Sequence, residues 1–242
     1  MRPERRFANR RQKPYPPLPS DHPAVAGART VYTSMVRTAV PGERILKSGQ
    51  HSRKLGSHFS KRPWIHRPIY SLSLEERATC PRTCPVWNAC YGNGMHRAVR
   101  WEVDDALYVK LQLELEQLAI SFPLGFAVRL HTLGDFPDRQ YLQFWLDALQ
   151  RHQELHTFGF TAHRRDSDIG AAIEVESAKW DRFRIRFSGD EGVRGAIVVN
   201  DPPPGRHEHG ITCPADKDHP AVSCGSCALC LSSTEIIVLP QH

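Results

Sequence analysis

The sequence has no long hydrophobic run. No stretch approaches the roughly 18 consecutive apolar residues of a membrane-spanning helix. The N-terminal segment MRPERRFANRRQKPYPPLPS also lacks the apolar centre of a secretory signal. These absences predict a cytoplasmic protein that does not interact with a membrane.

Acidic residues are scarce in the first part of the chain. Residues 1–70 contain 15 Lys and Arg but only 3 Asp and Glu, whereas the rest of the chain is net acidic. A basic, proline-rich segment of this kind is either a solvated tail or a contact for a polyanion such as nucleic acid. We predict a flexible basic leader in residues 1–66, within which residues 47–63 cover another part of the protein.

A regular pattern begins near residue 68. Short alternating apolar stretches, typical of strands, occupy residues 69–74, 126–131, 157–162, 184–188 and 196–200. Helical patterns lie between them, at residues 99–118, from Asp138 to His152, and from about 166 to 180. Strands that alternate with helices predict parallel βαβ units.

The alternation inside these strands predicts one packed and one polar face. Phe126, Val128 and Leu130 are expected on the packed face, with Arg129 and His131 opposite. The same argument places Phe158 and Phe160 on the packed face. In the next strand it places Ile185 and Phe187 on the packed face, with Arg184, Arg186 and Ser188 on the polar face. A partial (βα) barrel with a polar cavity fits this pattern, and a sheet with one face open to water is the alternative.

The predicted fold class is therefore α/β, a partial (βα) barrel of about five mostly parallel strands. The barrel domain is assigned to residues 67–205. A cysteine-rich, metal-binding extension follows in residues 206–242.

Seven cysteines form two groups. The first has the spacing Cys-x3-Cys-x5-Cys and follows the first strand, where α/β folds place their sites. The second contains Cys-x2-Cys-x2-Cys, a ferredoxin-like spacing. A reducing cytosol disfavours disulfides, so clustered thiols indicate a metal. The predicted ligands are Cys80, Cys84 and Cys90 in the first group, and Cys213, Cys224, Cys227 and Cys230 in the second.

The two groups differ in what they can bind. Three thiolates leave one coordination position open, whereas four close a site completely. Both are predicted to hold iron–sulfur clusters of the 4Fe-4S type, with zinc as the alternative.

Polar residues are also predicted at the carboxyl ends of the strands, inside the cavity. Several are cationic, which indicates either an anionic ligand or internal pairing with acids. The residues concerned are Arg129, His131, Asp135, Thr161, His163, Arg186, Ser188 and Asn200.

Five segments resemble the phage- and plasmid-associated "gene product 88" domain family: LKSGQHSRKLG, SLSLEERATCPRTCPVWNACYG, RLHTLGDFPDRQYLQFWLDAL, FGFTAHR and SCGSCALC. The resemblance covers about residues 45–240. That family is in turn similar to radical S-adenosylmethionine (SAM) enzymes, whose usual spacing is Cys-x3-Cys-x2-Cys.

The resemblance implies a three-cysteine cluster that binds SAM, an auxiliary four-cysteine cluster and a reductase partner. Gly134 and Asp135 resemble the acidic motif that holds SAM. Arg129, His131 and Ser188 are the further cofactor-binding candidates. Whether the protein is an enzyme stays open at this stage. The competing interpretation is a zinc-stabilised, nucleic-acid-binding accessory protein without catalysis.

Overall fold

The computed structural model describes residues 17–215 and 222–240 and shows a mixed α/β fold with a mostly parallel sheet. The strands are β1 (Val36–Arg37), β2 (Lys47–Ser48), β3 (Ile69–Ser71), β4 (Arg100–Trp101), β5 (Phe126–Leu130), β6 (Leu155–Thr161), β7 (Phe183–Ser188), β8 (Gly195–Val199), β9 (Arg206–His207), β10 (Gly210–Thr212) and β11 (Ile237–Pro240). The helices are α1 (Pro23–Ala26), α2 (Asp105–Ser121), α3 (Arg139–Arg151), α4 (Asp168–Lys179), α5 (Cys224–Cys227) and α6 (Leu229–Ser232). Short 3-10 turns occupy Thr33–Met35, Gly49–His51 and Tyr91–Gly94.

Nine strands form the main sheet, in the order β2-β3-β5-β6-β7-β8-β11-β10-β9. Only the two outermost pairs are antiparallel. All five predicted strands are present as β3, β5, β6, β7 and β8, and they lie side by side in chain order. The sheet is open at both ends, and no closed barrel occurs in the described residues.

The cysteine-rich extension belongs to this same sheet. Its strand β11 pairs in parallel with β8, and β10 pairs with β11. Strands β9, β10 and β11 therefore continue the sheet that the preceding domain begins. Of the predicted leader, residues 1–16 lie outside the described part of the chain.

Capping residues set where the three long helices begin. The side chains of Asp104, Asp138 and Ser167 each accept a backbone N–H from the first turn of α2, α3 and α4. The predicted limits of α3 and α4 are confirmed. Helix α2 begins later than residue 99, because Arg100–Trp101 pairs with β1 before Asp104 caps the helix. No helix in the described ranges is long and apolar enough to cross a membrane.

Each face of the sheet carries its own apolar cluster. Helices α2, α3 and α4 cover one face, where Phe126, Val128, Leu130, Ile185 and Phe187 are buried as predicted. The second face packs against residues 55–59 and helix α6. That cluster contains Leu55, Phe59, Ile69, Ala127, Phe158, Ala228 and Leu231.

The predicted orientation of β6 is wrong. Pairing sets Val128 opposite Thr157 and Leu130 opposite Gly159, so these β6 residues face the helices. Phe158 lies on the second face instead. The sequence misleads here because both faces are covered, so a phenylalanine on either face is buried.

Candidate metal sites

The three-cysteine group lies on the long loop between β3 and β4. Backbone turns hold it, with the Cys84 amide donating to the Pro81 carbonyl and the Asn93 amide to the Cys90 carbonyl, at 3.0 and 2.9 Å. Cys80 lies close enough to Cys84 and Cys90 for their charges to influence it. The three predicted ligands therefore come together on one loop.

Burial disfavours the thiolate form throughout this group. It raises the pKa of Cys84 to about 11 and raises the pKa of Cys80 and Cys90 as well. A metal ligand must be deprotonated, so binding here would release protons.

Two buried arginines fix the backbone of this loop. Arg100 forms an ion pair with Glu76, with Nε 2.6 Å from Oε2, and both side chains are almost completely buried. Its remaining N–H groups donate to the carbonyls of Gly92, Met95 and Ala98. Arg100 thus holds the loop on the C-terminal side of Cys90.

Arg77 is the second buried arginine that holds the three-cysteine loop, and it is 2% exposed. It donates to the Trp87 carbonyl at 3.1 Å and to the Asn93 side-chain oxygen at 2.6 Å. Its charge lowers the pKa of Cys84 and Cys90. Arg77, Arg100 and Glu76 are not among the residues predicted from the sequence. The charged run Glu75-Glu76-Arg77 just before the first cysteine is the sequence feature that points to two of them.

Gly134 and Asp135 support the three-cysteine loop. The Asp135 amide donates to Thr79 Oγ1 at 3.1 Å, next to Cys80. The Asp135 carboxylate accepts the backbone amides of Phe136 and Ala162 at 2.8 and 2.6 Å, which joins the ends of β5 and β6. Burial raises the pKa of Asp135, and its charge in turn raises the pKa of Cys80 and Cys84.

We expect Gly134→Ala to destabilise the fold by about 2 to 3 kcal/mol, because Gly134 has φ +84° and an added Cβ would lie 2.6 Å from Thr79 Oγ1. Gly42→Ala is the matched control, since Gly42 has φ +86° with open space around it. The control should cost about 1 kcal/mol, from the backbone conformation alone. Urea unfolding of both variants checks this, and equal losses would contradict close packing at Gly134.

The three remaining cofactor-binding candidates, His131, Ser188 and Arg129, lie in different parts of the fold. His131 is 4% exposed and packs against Phe136 and Tyr141, with Nε2 3.1 Å from the Tyr141 hydroxyl. Burial lowers its pKa to about 3, so it is neutral. The expectation that it shares a face with Arg129 is wrong, since Tyr141 belongs to the helix-side core.

Ser188 ends β7 near the three-cysteine loop. The next residue, Gly189, is so placed that an added Cβ would lie 3.2 Å from Pro85, the neighbour of Cys84. The carboxyl end of β7 therefore approaches this loop, as the topology predicts.

Arg129 lies between the two cysteine groups. It is half-buried on β5, with its guanidinium carbon 6.0 Å from the centre of the Phe160 ring. Burial raises the pKa of Tyr91, which follows Cys90, and raises the pKa of Cys230 to about 11, and the charge of Arg129 opposes both shifts. Electrostatic influence of this kind fades over about 10 Å at ordinary salt, so both groups lie near Arg129.

The four-cysteine group forms a pocket on the second face of the sheet. Cys213 follows β10, Cys224 and Cys227 delimit α5, and Cys230 lies in α6. All four line one pocket, which encloses about 350 Å³ including space open to solvent. Its other walls include Phe59, Phe158, Leu231 and Ile237.

A turn in α5 and α6 arranges these thiols. The Ser223 side chain caps α5, and Ala228 adopts a left-handed conformation with φ 58° that separates α5 from α6. The Cys224 and Gly225 amides donate to the Lys54 and Leu55 carbonyls at 2.7 and 3.0 Å. The basic segment at residues 47–63, predicted to cover another part of the protein without the part being specified, therefore contacts the four-cysteine group.

An N-terminal segment covers the other cysteine group. The Arg82 and Trp87 side chains donate to the Val25 carbonyl at the end of α1. The Leu18 amide donates to the Asn88 carbonyl at 3.1 Å. Both cysteine groups are thus covered by parts of the region predicted as leader.

The thiols are not arranged around a single ion. In residues 17–215 and 222–240, no group of three or more His, Cys, Asp or Glu side chains is placed to hold a metal ion. The cysteines instead influence one another electrostatically within each of two groups, and the second group lines one pocket.

Fold and sites together define an α/β protein with two cysteine-rich sites on one mostly parallel sheet. No protein-family model, curated protein or solved structure matches the chain.

Proposed function

We propose that this chain is an iron–sulfur protein with two cluster sites. The three-cysteine loop would hold one cluster through Cys80, Cys84 and Cys90. The second would lie in the pocket lined by Cys213, Cys224, Cys227 and Cys230. The observation that carries the proposal is this pocket, where, among residues 17–215 and 222–240, four thiols and no other ionisable side chain form the lining.

The donor set and the shape of the pocket support a cluster. Each iron of a 4Fe-4S cluster takes one thiolate, so the thiols must surround a core rather than meet at a point. Thiols that line an apolar pocket fit that requirement. Apolar walls also limit solvent access, which is one determinant of cluster potential.

The order of the strands supports a relation to radical SAM enzymes. Strands β3, β5, β6, β7 and β8 follow one another across the sheet, with helices on one face, as in a partial (βα) barrel. The three-cysteine loop follows the first strand of this series. Its open coordination position is where SAM would bind, and the cluster would supply the electron that such chemistry needs.

Anaerobic purification followed by iron and sulfide analysis tests the proposal. Two 4Fe-4S clusters require about eight iron and eight sulfide per chain, with broad absorbance near about 400 nm. Zinc without sulfide would overturn the iron proposal and favour the zinc-stabilised nucleic-acid-binding alternative. Salt-dependent retention of DNA or RNA, lost on deletion of residues 1–66, would then test that alternative.

We expect Arg129→Ala to keep its iron but to lose SAM binding, because Arg129 is a cation whose charge acts at both cysteine groups. Equilibrium dialysis with labelled SAM measures the binding. Arg184→Ala is the control, since Arg184 is another arginine on the second face, where it pairs with Asp181 at 2.6 Å. Equal SAM binding by wild type and both variants would contradict the role of Arg129.

A further inference from the structure

Arg186 is a fully buried cation beside the four-cysteine pocket. It lies on β7, opposite Phe160 of β6, and its exposed fraction is 0%. Burying a guanidinium costs several kcal/mol unless an anion and hydrogen bonds compensate. The hydrogen-bond partners and nearby anions of Arg186 therefore indicate its role.

The hydrogen bonds of Arg186 go to backbone carbonyls around Cys230. One terminal nitrogen donates to the Glu235 carbonyl at 2.7 Å. The other donates to the carbonyls of Leu229 and Ser233, at 3.1 and 2.6 Å. These bonds fix the turn that carries Cys230, but carbonyls bring no net negative charge.

Carboxylates do not balance this charge in the described ranges. No Asp or Glu side chain there forms an ion pair or hydrogen bond with Arg186, and its Nε is buried without a hydrogen-bond partner. One of its carbonyl partners, that of Leu229, belongs to the lining of the four-cysteine pocket. Metal ligands are deprotonated when bound, so the thiolates of a cluster in this pocket are the anions that this position can offer.

We propose that Arg186 is a positioning residue that balances the negative charge of the cluster held by the four cysteines and thereby raises its reduction potential. This inference rests on the proposed function. Net charge and hydrogen bonding near the sulfurs are established determinants of cluster potential. A fixed cation in an apolar pocket favours the reduced form, which carries one more negative charge.

The experiment uses the full chain with Cys80, Cys84 and Cys90 replaced by alanine, so that only the four-cysteine site is observed. Arg186→Gln removes the charge, Arg186→Lys keeps it, and Arg184→Gln is the control on the same strand. Each protein is analysed for iron and sulfide and then reduced stepwise at controlled potential. At a fixed potential, Arg186→Gln should lower the ratio of reduced to oxidised cluster at least tenfold, which equals 59 mV for a one-electron couple.

Arg186→Lys and Arg184→Gln should stay within about threefold of the parent ratio. Failure of Arg186→Gln to assemble the cluster, while Arg186→Lys assembles it with the parental potential, would support the proposal equally. An unchanged ratio in Arg186→Gln, equal shifts in the Gln and Lys variants, or loss of the cluster in both would overturn the charge proposal and leave a structural role only. A parent protein without iron and sulfide would instead contradict the proposed function, before Arg186 is considered.

Discussion

Replacing Cys80, Cys84 and Cys90 together by alanine should remove about half of the iron and half of the sulfide of the two proposed clusters, because the second proposed cluster would keep four thiolate ligands of its own. The structure groups these three thiols on one loop, and separately lines one pocket with the other four. The complementary variant replaces Cys213, Cys224, Cys227 and Cys230. It should also lose about half of each element.

The two cysteine variants should differ in stability as well. The four-cysteine pocket is formed by α5 and α6, two helices of four residues each. Such short helices are held by their contacts rather than by intrinsic propensity. Loss of a cluster there should therefore lower the thermal midpoint more than loss of the cluster on the three-cysteine loop, whose backbone Arg77 and Arg100 hold.

Iron and sulfide analysis with calorimetry measures both effects. Complete loss of iron from the three-cysteine variant would show that all seven thiols share one larger site. Equal thermal midpoints in the two variants would contradict the dependence of α5 and α6 on a bound group.

Local sequence patterns predicted the starts of α3 and α4 and the five central strands, because a capping residue or an alternating pattern is enough to identify each of them. Asp138 and Ser167 cap helices at the expected places, and all five alternating stretches form strands. Strands β9 and β10 were missed because they contain only two and three residues, and β11 was missed because its four residues show no alternation of apolar and polar side chains. The pairing of β11 with β8 joins distant parts of the chain, which local patterns do not predict.

The sequence predicted which residues form the candidate sites, but not which partners they contact. Cysteine spacing identified both groups, and the strand ends placed Asp135 and Ser188 near the first. The roles of Asp135 and Arg186 depend on partners far away in sequence, such as Thr79 and the Leu229 carbonyl. His131 was misplaced because the chain leaves the alternating pattern after Leu130 and turns toward Tyr141.

Glu76→Gln should destabilise the protein by about 3 to 5 kcal/mol, because it leaves the charge of Arg100 buried without an anion. The side chains of Arg100 and Glu76 are 0% and 1% exposed. Glutamine has nearly the same shape as glutamate, so packing is preserved and the charge is the main change. The free energy of unfolding in urea gives the magnitude.

Glu43→Gln is the matched control for the Glu76 variant. Glu43 pairs with Arg37 at 2.7 Å, but the two side chains are 31% and 48% exposed. A surface pair of this kind contributes at most about 1 kcal/mol, because water and salt screen it. Arg100 donates to the carbonyls of Gly92, Met95 and Ala98 in the three-cysteine loop. If the two substitutions lower the free energy of unfolding equally, the Glu76–Arg100 pair is not the buried support of this loop. A larger loss at Glu76, together with lower iron content at that site, would show that this ion pair couples the stability of the fold to the geometry of the loop.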